Sequence, residues 1–265
     1  MNAIILSVII VGAIGLVAGL GLSIAAMVMN VPVDKRIEEV RACLPGVNCG
    51  SCGFSGCDGY ANAIVEDGAA TNLCSPGGDE AAKSIASIMG SEEMQSEKMT
   101  AVVRCNGTAE NCGKKSEYKG LSTCAAAAAV NGGDKLCPNA CLGYGDCERA
   151  CPFDAIRVVN SVAVVDSEKC TACKTCVSVC PRGVISMMPK EKRKAVTVCS
   201  NTQSGAVSRK QCAVSCVGCK MCEKACKFDA IHVENNLSRV DYEQCVGCGA
   251  CVRACPTKCL YLSNH

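Results

Sequence analysis

The rhythm of apolar and polar positions changes several times along the chain. Residues 3–29 are apolar almost throughout, and no charged side chain occurs in residues 1–33. As a helix this run would be about 40 Å long at roughly 1.5 Å per residue, enough to cross a hydrocarbon layer of ~30 Å with some tilt. A cleaved signal peptide needs a basic start and a shorter apolar run. Lys35, Arg36 and Arg41 follow the segment and nothing basic precedes it. The excess of positive charge on the cytoplasmic side predicts a single span, with the bulk of the chain in the cytoplasm. Residues 34–42 then predict a short amphipathic helix capped by Asp34. Ala61, Ile64 and Val65 share one face of a helix over 58–66. Ala82, Ile85, Ala86 and Met89 share one face of a helix over 79–89 that Gly90 ends. Residues 91–99 are polar and read as linker, and an Ala-rich helix is expected at about 123–130. Residues 156–165 and 231–240 alternate, predicting β-hairpins that turn at Asn160-Ser161 and Asn235-Asn236.

A shift of 75 residues lays the C-terminal half on itself. Cys124, Cys137, Cys141, Cys147, Cys151, Cys170, Cys173, Cys176 and Cys180 fall on Cys199, Cys212, Cys216, Cys222, Cys226, Cys245, Cys248, Cys251 and Cys255. Asp-Ala-Ile at 154–156 falls on Asp-Ala-Ile at 229–231. Such a match marks a tandem duplication.

Composition sharpens this. The chain has 265 residues, 27 of them cysteine, and only two histidines. Cysteine this dense means a disulfide scaffold or metal. A long chain with an odd number of thiols and repeated C-x-x-C steps favours metal. Zinc sites take thiols in pairs, often mixed with histidine. Here the ligands come as C-x-x-C-x-x-C with a fourth cysteine three residues later, the pattern that holds cubane iron–sulfur clusters. Neither histidine lies among the thiols, and no C-x-x-C-H is present, which excludes Rieske centres and covalent haem. A net charge of +2 with no basic stripe does not suggest nucleic acid. No G-x-G-x-x-G follows a strand and no P-loop occurs, so no nucleotide site is expected in this chain.

The thiols sort into sets. Cys49, Cys52 and Cys57, in a glycine-rich loop, with Cys74 sixteen residues later, suit one 4Fe-4S cluster. In two-cluster ferredoxins the fourth cysteine of each run binds the other cluster. This groups Cys216, Cys219, Cys222 and Cys255, then Cys245, Cys248, Cys251 and Cys226. Lys227 stands where proline usually follows. In the first repeat Cys170, Cys173, Cys176 and Cys151 form a set. Its companion has Cys141, Cys147 and Cys180, but Tyr144 occupies the middle position. Cys137 is the expected replacement; a three-iron cluster is the alternative. Cys105, Cys112, Cys124, Cys199, Cys212 and Cys259 stay unassigned, and the first three could be packed thiols or ligands of a further cluster. The expectation is therefore about five 4Fe-4S clusters, with room for a sixth. No nucleophile set emerges, so this chain moves electrons and makes no bonds.

The uncharged glycine-rich helix, then Leu-Pro-Gly-Val-Asn-Cys49-Gly-Ser-Cys52-Gly with Cys57 and Cys74, then ferredoxin modules, closely resembles the B subunit of the Rnf complex. That family belongs to an ion-translocating ferredoxin:NAD+ oxidoreductase. The resemblance implies reduced ferredoxin as donor, other membrane subunits as partners, and NAD+ reduction on another subunit. An electron-transfer subunit of a hydrogenase or formate dehydrogenase is the competing reading. The expected fold is α+β: a transmembrane anchor at 1–30, a 4Fe-4S domain at 31–91, a linker at 92–122, and tandem bacterial-type di-cluster ferredoxin modules at 123–190 and 191–265.

Overall fold

A computed structural model describes residues 2–28, 34–92, 94, 97–190 and 192–263. Helix α1 (Asn2–Val28) is the uncharged segment, and the side chains described along it are all exposed. Its stretch Val8–Ala25 is long and apolar enough to cross a membrane.

The next three helices form a small domain. In α2 (Lys35–Cys43), the Asp34 carboxylate accepts from the Arg36 N–H at 2.9 Å, supplying the cap that free helical N–H groups need. Helix α3 (Cys57–Glu66) and α4 (Gly78–Met89) follow, and Gly90 ends α4 in the left-handed conformation. Val40, Tyr60, Ile64 and Ile85 are buried together between the three helices.

Two α+β modules of similar element order follow. The first contains β1 (Met99–Val103), α5 (Cys124–Ala129), α6 (Asp146–Arg149), β2 (Ile156–Val159), β3 (Val162–Val165), α7 (Thr175–Val179) and β4 (Ile185–Pro189). The second contains β5 (Ala195–Thr197), α8 (Gly205–Gln211), α9 (Met221–Ala225), β6 (Ile231–Glu234), β7 (Leu237–Val240), α10 (Ala250–Ala254) and β8 (Leu260–Leu262). In each, the first strand pairs antiparallel with the last, β1 with β4 and β5 with β8. The hairpins β2–β3 and β6–β7 lie between. Both turn on two residues with positive φ, Asn160 and Ser161 in one and Asn235 and Asn236 in the other. That is the turn type whose twist matches a hairpin.

The first module therefore begins earlier than the cysteine pattern suggested. Part of the stretch 92–122, expected as linker, is strand β1, whose Ala101, Val102 and Val103 are buried. Its five-residue run is short, and it pairs with a strand more than eighty positions away, so only tertiary structure reveals it.

Candidate iron–sulfur centres

Cys49, Cys52, Cys57 and Cys74 line one cavity with about 300 Å³ of open space beneath Tyr60. The loop reaches this shape through local bonds. Asn48, at φ +51°, accepts the Cys57 N–H on Oδ1 at 2.8 Å and so starts α3. The Tyr60 hydroxyl donates to the Ala70 carbonyl at 2.6 Å and accepts from the Leu73 N–H at 3.1 Å, holding the segment that returns Cys74. Cys43 faces its own helix, its thiol 3.3 Å from the Glu39 carbonyl.

In the second module, Cys226, Cys245, Cys248 and Cys251 line a cavity with about 320 Å³ of open space. Cys216, Cys219, Cys222 and Cys255 line another of about 280 Å³. Each cavity draws thiols from both cysteine runs of the module. Cys259 joins the second cavity as a fifth thiol, 3.6 Å from the Cys255 sulfur. Its hydrogen bonds hold Cys216 and Cys255 low, at about 5 each, and its own thiol is pushed up.

In the first module Cys176 faces Cys170, Cys173 and Cys151. The Ala101 N–H donates to the Cys170 sulfur at 3.3 Å and the Ala155 N–H to the Cys151 sulfur at 3.4 Å. Cys141, Cys124, Cys180 and Cys176 lie within electrostatic reach of Cys147, and Cys180 packs against the buried cluster of Cys141, Cys147 and Cys176. The structure does not gather Cys137 into this set. Cys137 lines a different cavity, of about 300 Å³ of open space, with Cys105, Cys112, Cys199 and Cys212. Cys137 packs with Cys112, Ala140 and Cys212, whereas Cys141 and Cys147 lie in a separate buried cluster with Cys176. The shift that laid Cys124 on Cys199 is also not the spatial match. Cys105 follows the Ala-Val of β1 as Cys199 follows the Ala-Val of β5, so Cys105 is the counterpart of Cys199.

Burial makes these thiols costly as free thiolates. It pushes Cys147 and Cys176 up to about 12, and Cys137 and Cys222 up to about 11. Bonding to iron replaces the proton and removes that cost. A single zinc ion would draw four sulfurs to about 2.3 Å from one point. Among the described residues no three Cys, His, Asp or Glu side chains converge in that way. The thiols ring open cavities instead, an arrangement that fits a cubane with iron at its corners.

The modules touch where electrons would have to cross. The Ser51 hydroxyl, between Cys49 and Cys52, lies 3.4 Å from the carbonyl of Ala172, between Cys170 and Cys173. The two ferredoxin modules meet through Asn139 to the Ser200 carbonyl at 2.8 Å and Ser200 to the Arg104 carbonyl at 2.8 Å.

Comparison with known proteins finds iron–sulfur domains along the chain. Residues 44–76 match an Fe-S cluster family. Residues 163–186 and 238–261 match a 4Fe-4S binding domain, and 210–229 a second 4Fe-4S binding family. The chain is 44% identical over 245 residues to the B subunit of the Na(+)-translocating ferredoxin:NAD(+) oxidoreductase complex of Acetobacterium woodii, covering 92% of this chain and 73% of the relative. It is 38% identical to the B subunit of the ion-translocating oxidoreductase complex of Methanosarcina acetivorans, covering 92% of each. It is 39% identical to the proton-translocating counterpart of Clostridium ljungdahlii, covering 91% of this chain and 85% of the relative. Relatives this similar over nearly the whole chain make the protein a member of the family of B subunits of ion-translocating (Rnf) oxidoreductase complexes.

Proposed function

We propose that this chain is the iron–sulfur relay of such a complex, taking electrons from reduced ferredoxin and passing them toward membrane subunits and finally to NAD+ held elsewhere. The observation that carries the reading is the gathering of four or more thiols around a shared cavity, once in the N-terminal domain and twice in the second module. When bound, 4Fe-4S clusters supply one-electron carriers whose potentials range from roughly −700 to +450 mV. The residues that would hold them are Cys49, Cys52, Cys57 and Cys74; Cys151, Cys170, Cys173 and Cys176; Cys216, Cys219, Cys222 and Cys255; and Cys226, Cys245, Cys248 and Cys251. Cys141, Cys147 and Cys180 supply three ligands of a further one. The chain itself holds the thiolates, orients N–H groups toward them and keeps water away.

Cys219 and Cys248 are exposed, unlike the other ligands of their sets, and Phe228 and Val246 beside the second are half exposed. This supports the second module as the surface where electrons enter or leave. Helix α1 would anchor the chain by a single pass through the cytoplasmic membrane, with Lys35 and Arg36 holding the soluble part on the cytoplasmic side.

The test is anaerobic reduction of the full chain, in detergent, by reduced ferredoxin. The expected result is bleaching of the cluster absorbance in proportion to the ferredoxin added. Clusters that dithionite reduces but ferredoxin does not would favour the hydrogenase or formate dehydrogenase type of electron carrier.

A further inference from the structure

Five thiols meet where the two ferredoxin modules touch: Cys105, Cys112, Cys137, Cys199 and Cys212. They line a shared space as do the sets of Cys49, Cys216 and Cys226 with their partners. Four of the five are buried outright, and they come from both modules.

The sulfurs already receive the bonds a thiolate needs. The Cys141 N–H and the Gly107 N–H donate to the Cys105 sulfur, each at 3.3 Å. In the other module the Cys216 N–H donates to the Cys199 sulfur at 3.3 Å. The Asn201 amide donates to the Cys137 sulfur at 3.4 Å. Cys112 and Cys212 are paired by a backbone bridge. A buried cation points the same way. Lys135 is 3% exposed, and its ammonium donates to two carbonyls, of Gly107 and Ser161, each at 2.7 Å. A buried ammonium is costly unless negative charge lies near it, and four thiolates round a cubane carry net negative charge.

Cys137 cannot serve two clusters, which leaves Cys141, Cys147 and Cys180 one ligand short. Cys124 is the thiol at hand: it is buried, opens α5 and lies within electrostatic reach of Cys147. The Asp146 carboxylate accepts the Ala125 N–H at 3.0 Å and ties that helix to the loop carrying Cys147. The chain from Cys105 to Cys141 is 36 residues against 17 from Cys199 to Cys216. The difference, 36 minus 17 or 19 residues, makes room for Cys112 and α5.

We propose that an additional 4Fe-4S cluster sits at the junction of the two modules, held by Cys105, Cys137, Cys199 and one thiol of the Cys112–Cys212 pair, and that Cys124 completes the set of Cys141, Cys147 and Cys180. Each ligand gives up its thiol proton as iron binds. Two of the junction sulfurs accept N–H groups of Cys141 and Cys216, each a ligand of a neighbouring cluster. The junction cluster thus links the modules into one electron path. The proposal rests on the iron–sulfur reading of the chain, and iron analysis separates the two failures: absent acid-labile sulfide sinks both, whereas five clusters sink this one alone.

The experiment is iron and sulfide analysis with EPR on the full chain, purified without oxygen, for the wild type and alanine variants. The wild type is expected to hold about 24 iron atoms, about four per cluster over six clusters. Cys137→Ala and Cys199→Ala should each lose one cluster, and their double variant no more than one. Cys124→Ala should lose a different cluster, so that Cys124→Ala with Cys137→Ala loses two. Full iron content in Cys199→Ala, or loss of only one cluster when Cys124 and Cys137 are both replaced, overturns the assignment. Should the alanine variants fail to accumulate, serine keeps the volume and can still ligate. Cys137→Ser and Cys199→Ser must then perturb the same EPR signal, and Cys124→Ser another. A common signal for Cys124→Ser and Cys137→Ser, or no change in any, overturns it equally.

Discussion

The backbone N–H of Cys141 points at the sulfur of Cys105 from 3.3 Å, across 36 residues of sequence. The same relationship joins Cys216 to Cys199 at the same distance in the second module. Hydrogen bonds to sulfur favour the charged form and help set cluster potential. The duplication has therefore kept an electronic detail as well as a fold.

Tyr60 governs the N-terminal cluster loop. Tyr60→Phe leaves the Ala70 carbonyl and the Leu73 N–H without their partner, a loss of about 1–3 kcal/mol for buried groups. Thermal unfolding should show that decrease, and the cluster held by Cys74 should bleach faster in air. A variant with unchanged melting and bleaching would contradict the role given to this hydroxyl.

The same residue predicts an alkaline limit. Burial pushes the Tyr60 hydroxyl up to about 12, from 10.0. Above pH 10 the unfolded chain loses this proton first, so its contribution is complete below pH 10 and fades as pH rises through 12. Denaturant titrations between those values should show a shallower loss of stability in Tyr60→Phe than in the wild type.

Glycines beside the hairpin turns are closely packed. At Gly143 an added Cβ would lie 2.4 Å from the Ser161 carbonyl oxygen, and at Gly218 it would lie 2.9 Å from the Asn236 Cα, both with positive φ. Gly183 also has positive φ but meets open space. Gly183→Ala should cost about 1–2 kcal/mol, the left-handed penalty alone. Gly143→Ala and Gly218→Ala should lose much more, seen as cluster-deficient or insoluble protein. Equal behaviour of the three would refute the packing argument.

Two buried lysines reach backbone carbonyls of residues at or near the candidate ligand thiols. The Lys194 ammonium lies 2.6 Å from the Cys245 carbonyl, much as Lys135 lies by Gly107. Removing a fixed positive charge makes electron uptake harder. Redox titration of Lys194→Met should therefore move one cluster potential downward, with iron content kept. An unchanged set of potentials would remove the lysine from the electrostatics of the site.

Helix α5 depends on its first turn. Thr123 caps it, accepting the Ala126 N–H at 3.1 Å. Thr123→Ala should destabilise the helix by about 1 kcal/mol. Hydrogen exchange in residues 124–129 should quicken; unchanged protection there would show that tertiary contacts, not the cap, hold the helix.

Much of this protein could be read along the chain. The uncharged apolar run, the capped helices, the hairpin turns and the C-x-x-C-x-x-C runs depend on neighbours a few positions apart, and sequence spacing determines those directly. What the tertiary structure decided was the irregular remainder. Strand β1 exists because β4 offers it a partner, and Cys137 packs with Cys112 and Cys212 because segments distant in sequence meet there. Cys105 and Cys199, 94 positions apart, face one space only because two modules dock. A thiol becomes a ligand through what surrounds its sulfur, and for these residues the surroundings come from distant parts of the chain.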